Sequence, residues 1–242
     1  MKQLITFFLS IMSSFSLLAQ GENEDPSFTN SSALKISNTS IVLDDRLDQL
    51  IFTIETIGTA GSSMPTVFGQ MDGAPVLGYV FPTTLEPSDV GFSDTDGIVA
   101  LALTSHPDFD DTPLWDENND RNYANDGVIW HPHWVVLTED SRVAGGLAVK
   151  QFDPDNSNVT LPPTNPGMPM FMDSPGYPVI TKGNMIRVVI PSYRMNNKTQ
   201  FNFDAVAAYM QVNTSKTDYP MLGVYAVYSV ASGDLSLPYT VR

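Results

Sequence analysis

The sequence predicts an all-β chain: a single antiparallel β-sandwich, or a flattened barrel, of about ten strands. Three observations lead there. Short runs rich in Val, Ile, Phe and Tyr recur along the chain, and Gly, Pro, Asn and Asp punctuate them. Two of these runs, Thr53-Ile54-Glu55-Thr56-Ile57 and Gln200-Phe201-Asn202-Phe203-Asp204, alternate with period two, the mark of a strand buried on one face. No long segment carries a 3.6-residue period.

The candidate strands are 35–43, 47–57, 75–83, 97–106, 127–137, 144–152, 184–191, 201–212, 221–230 and 237–241. Residues 205–210 also fit a helical turn, but their flanks favour strand. Neither an internal repeat nor a composition break divides residues 34–242, which therefore read as one domain. Two connections are long: the acidic segment 108–126, and the Pro-rich segment 153–177, which contains Met168, Met170 and Met172. Long loops in compact β proteins are functional or disordered.

The N-terminus reads as an export signal. Lys2 precedes an apolar run from Leu4 to Leu18, and Ala19 supplies a small residue for cleavage. The run is too short to span a bilayer comfortably, and no other stretch approaches the required length, so no integral membrane span is expected. Residues 1–19 are thus assigned to a signal peptide and 20–33, polar and aperiodic, to a flexible leader. The expected location is secreted, periplasmic or on the outer cell surface, with cell-surface association as one form.

The chain has no cysteine, which excludes disulfides, thiolate ligands and a thiol nucleophile. Its 12 Lys and Arg stand against 27 Asp and Glu. Such a field repels nucleic acid and anionic membranes and attracts cations. It also keeps an exported protein soluble.

The only three histidines, His106, His131 and His133, lie within one short window. Trp130-His131-Pro132-His133-Trp134 sits in a run that reads as strand. Alternation puts His131 and His133 on one face and Trp130, Pro132 and Trp134 on the other. His106 ends the preceding candidate strand, so neighbouring strands bring three imidazoles together. Such a set binds copper, zinc, nickel or iron and leaves positions open for water or substrate. Asp108, Asp110, Asp111, Asp116 and Glu117 are candidates to orient the rings or to add a fourth ligand. Neutral imidazoles are required, so binding is expected to weaken as pH falls through the histidine range. The competing reading is aromatic packing on a strand that Pro132 pushes toward an edge or bulge.

A Trp beside strand histidines in an exported, cysteine-free chain resembles the copper-repressible surface proteins of methane-oxidising bacteria, the CorA and MopE type. In that group histidines hold one copper ion, and a nearby Trp is oxidised to kynurenine and joins the site. The resemblance implies a mononuclear copper site, with His131, His133 and His106 as ligands and Trp130 as a modified cofactor-binding residue.

Other patterns are weaker. Met168-Pro169-Met170-Phe171-Met172 places thioethers at alternate positions, a soft donor set for Cu(I) or flexible packing. Residues 116–127 and Asp94-Thr95-Asp96-Gly97 are oxygen-rich, but the first lacks EF-hand spacing, and Asx turns explain both. Calcium and zinc thus rank below copper, and the expected occupant is one Cu(II) ion. No Gly-x-Ser-x-Gly, Walker or dinucleotide motif is present. Two alternatives to metal sequestration or delivery stay open. One is a carbohydrate-binding or adhesion module that stacks sugars on Trp115, Trp130 and Trp134. The other is a three-histidine metal hydrolase or lyase.

Overall fold

A computed structural model describes residues 26–66, 70–106 and 130–242. Thirteen strands form among them. In chain order these are β1 (Ile36–Asp44), β2 (Gln49–Thr56), β3 (Pro75–Pro82), β4 (Ile98–Ser105), β5 (His131–Glu139), β6 (Leu147–Val149), β7 (Met172–Asp173), β8 (Val179–Lys182), β9 (Met185–Pro191), β10 (Asn202–Phe203), β11 (Val206–Val212), β12 (Leu222–Val230) and β13 (Tyr239–Thr240). All the pairings are antiparallel.

The expected sandwich takes a more specific form. Strands β4, β3, β11, β12, β6 and β5 are neighbours in that order, and β5 pairs back onto β4, which closes a six-stranded barrel. A four-stranded sheet, ordered β1-β2-β9-β8, packs against the barrel's outside, and β7 adds to the far side of β5. Closure removes the open edges that a sheet of this length would otherwise expose.

Alternation along the barrel strands creates two separate cores. Leu77, Tyr79 and Phe81 of β3, Leu101 and Leu103 of β4, and Trp134 and Val136 of β5 point outward and meet Leu50, Phe52 and Ile54 of β2. Phe52 is the bridge: its ring lies edge-on to Phe81 at 5.3 Å and to Trp134 at 6.3 Å between centroids. The intervening residues point into the lumen. They include Val76, Val80, Ala100, Ala102, Val135, Ala208, Met210 and Val224. Small residues dominate because a six-stranded barrel has little interior. At Gly78 on β3 an added Cβ would stand 2.7 Å from Cε of Met210, so a side chain there would displace the end of that methionine.

Two expectations change. The leader is not loose where it is described: residues 26–29 form a helical turn, residues 32–34 a 3-10 turn, and Phe28 and Leu34 are buried in the core between sheet and barrel. Tyr79 ties this segment down, its hydroxyl donating to the Ala33 carbonyl at 2.8 Å. The Pro-rich connection is not wholly loop, since β7 lies within it and β8 follows directly. The strand favoured for residues 205–210 is found from Val206 onward, within β11. The proposed signal peptide lies outside the described residues. Among the described residues no helix is long and apolar enough to cross a membrane.

Candidate metal centre

The site is built by the barrel's closing seam. β4 and β5 are in register with Ala102 opposite His133 and Thr104 opposite His131. His106 follows β4 two residues beyond Thr104, so it stands diagonally across from His131, within reach of a long side chain. Thr104, His106, His131 and His133 thus share the lumen face. Pro132 sits opposite Leu103, and β5 takes up its second neighbours, β6 and β7, only from Trp134 onward. The missing N–H of Pro132 therefore interrupts no ladder on that second side.

All three rings converge, with each residue offering one ligand nitrogen and all three nitrogens within 4.8 Å of one another. Ring centroids are 4.5 Å apart for His106 and His131, 4.8 Å for His131 and His133, and 5.8 Å for His106 and His133. The Nε2 atoms of His106 and His131 are in hydrogen-bond contact at 2.7 Å, one donating to the other. Two imidazoles on one ion, each at about 2.0–2.1 Å, hold their nitrogens roughly 3.0–3.4 Å apart. A metal ion would therefore replace the shared proton with a movement of a few tenths of an ångström.

Burial favours the neutral form of His106 and His133. His106, His131 and His133 are 3%, 1% and 2% exposed. Desolvation first, then repulsion from His131 and His133, holds the His106 pKa well below its ordinary value. Desolvation also pulls His133 down to about 4, against a backbone hydrogen bond at Asp173 that favours its charged form. Neutral imidazole is the metal-binding form, so the fold prepares the donors in advance. The expected loss of binding is shifted to a lower pH than that of surface histidines.

Supporting groups come from the end of β7 and the residue that follows it. The hydroxyl of Ser174 contacts His133 Nδ1 at 3.0 Å, which fixes the ring. The neighbouring Asp173 is buried, accepts from Thr164 at 2.7 Å, and has its carboxyl pKa raised, chiefly by desolvation. Neither residue was legible as part of the site, because only the β5–β7 pairing brings them to His133.

The methionine segment also arrives here. A cavity of about 20 Å³ is lined by His106 and His133 together with Met168, Met170 and Met172. The alternate spacing noted in the sequence thus places three thioether side chains around the space beside two of the imidazoles.

Other candidate residues do not join them. Trp130 lies on the barrel's outer face, its indole N–H donating to the Gly61 carbonyl at 3.0 Å and its ring packed on Tyr79 at 4.7 Å. Trp134 is buried against Phe52. Neither ring is available to stack on a sugar, which corrects that expectation for both. Trp115, the carboxylates Asp108, Asp110, Asp111, Asp116 and Glu117, and the oxygen-rich segment 116–127 lie outside the described residues. At the second oxygen-rich turn, the Asp96 carbonyl accepts from Lys150 Nζ at 2.7 Å. Gly97 has φ of 142° and backs onto Val136 and Leu137, so packing accounts for the glycine.

No family model matches the chain, and no curated protein or solved structure matches it.

Proposed function

We propose that this protein binds one transition-metal ion, copper in preference to zinc, through His106, His131 and His133, and that it sequesters or delivers the ion outside the cytoplasm. The observation that carries the reading is the convergence of three buried imidazoles, two of which line a small pocket together with three methionines. Imidazole and thioether together favour copper, and thioether favours Cu(I). Burial points the same way. The cost of moving an ion from water into an apolar interior rises steeply with its charge, so a monovalent ion suits this lumen better than a divalent one.

Export rests on the signal-like N-terminus and the absence of cysteine, and the acidic surface would draw cations toward the protein. The likeness to the copper-binding surface proteins of methane-oxidising bacteria agrees with this assignment. Sequestration or delivery is favoured over turnover of a large substrate, because the space beside the rings is about 20 Å³, room for little more than a water molecule. The buried Trp130 and Trp134 take support away from the carbohydrate-binding alternative.

The test is the metal content of the purified protein and its competition with a Cu(I) chelator. The expected result is one copper per chain, with binding lost in His131→Ala. Full copper affinity in that variant would sink the assignment.

A further inference from the structure

The lumen holds a second space that metal storage does not require. A cavity of about 60 Å³ lies inside the barrel, walled by Val80, Ala102, Val135, Ala208 and Val224. It adjoins the small methionine-lined pocket, since Thr104, His133, Met172 and Leu222 line both. A space of roughly 10–15 Å³ suffices for one water, yet water stays only where it finds two or more polar partners. Apolar cavities remain dry, and at about 150 Å³ they take benzene or xenon. At an intermediate size, this chamber suits a monatomic or diatomic apolar molecule.

One polar group stands at the junction. Thr104 is 3% exposed, and its Oγ1 has no hydrogen-bond partner among the described residues. A buried hydroxyl without a partner is costly, because its lost bonds to water are not replaced. Its neighbours in register offer no relief: Gly78 on β3 has no side chain, and His131 on β5 is already in contact with His106. The hydroxyl is thus a donor positioned beside the imidazole pocket with nothing among the described residues to receive it.

We propose that the lumen is a chamber for a small diatomic molecule of the dioxygen type, held beside the three-histidine ion with the Thr104 hydroxyl donating to it. The chamber stands on the apolar walls alone, whereas the ligand's contact with the ion rests on the copper reading above. Xenon tests the first part and carbon monoxide the second. Metal-free protein under xenon pressure is expected to show saturable shifts of the Ala102 and Ala208 methyl resonances. Ala208→Leu should abolish them, and Ala102→Val, filling the same space more gently, should weaken them. No saturable shift at these methyls in the wild-type protein overturns the chamber. Cu(I)-loaded protein is expected to give one carbon monoxide stretching band that moves in Thr104→Val. Loaded protein without a band overturns the diatomic ligand, and a band unmoved by Thr104→Val overturns the role of the hydroxyl. Xenon binding in a protein that takes up no copper would refute the metal and the diatomic step together, leaving an apolar chamber with no ion.

Discussion

Acidifying the metal-free protein should cost stability in a pH window that opens above the range where most carboxylates titrate. His133 has a pKa of about 4 in the folded chain and about 6.5 when exposed. The unfolded chain therefore binds a proton that the native chain refuses as pH falls below 6.5. The neutral ring's contribution is fully present above that value and is lost progressively down to about 4. Linkage gives a loss of about 2 kcal/mol by pH 5 and about 3 kcal/mol by pH 4 from this residue alone. His106, also held well below its ordinary value, adds a loss of the same sign. Asp173 works the other way, because its raised carboxyl pKa means that folding favours its protonated form. Urea unfolding at a series of pH values between 7.5 and 4.5, with a chelator present, reads the slope directly. His133→Gln should flatten the curve. A wild-type curve already flat over this window, or a slope unchanged in both His133→Gln and His106→Gln, would refute the picture of buried, neutral imidazoles.

Other consequences are as direct. Ser174→Ala removes the contact that orients His133 and should weaken metal binding 10–100-fold while shifting the midpoint of thermal unfolding only slightly, as read by chelator competition beside a melting curve. Replacing Met168, Met170 and Met172 together by Leu keeps the volume and removes the soft donors. Cu(I) affinity should fall while Zn(II) affinity holds in parallel titrations. Phe52→Ala empties the bridge between sheet and barrel and should cost about 3–5 kcal/mol in denaturant unfolding, with metal stoichiometry retained.

Much of this was legible in the residues, for physical reasons that also explain the omissions. Side-chain alternation is a local property, so the pattern of Trp130 to Trp134 separated the histidine face from the tryptophan face. The same alternation set Trp130 apart from the imidazoles and on the outer face, where it bonds to Gly61. Barrel closure is a long-range pairing of β5 with β4, and no local pattern distinguishes it from a sandwich connection. β7 and β8, two and four residues long, are too short to announce themselves beside several prolines. Ser174 and Thr104 were overlooked because hydroxyl residues are common everywhere and only the register places these two. Phe28 was a single aromatic in a polar stretch, and its burial depends on a core formed much later in the chain.

The ligand set is the central claim, and X-ray absorption at the copper edge of the loaded protein tests it most directly. Histidine nitrogens should appear at about 2.0 Å with the multiple-scattering pattern of imidazole, joined by sulfur near 2.3 Å if a methionine coordinates. The imidazole signature should vanish in a protein with His106, His131 and His133 all replaced by Asn. A shell of oxygen alone, or an unchanged spectrum in that variant, would place the copper elsewhere and contradict the account.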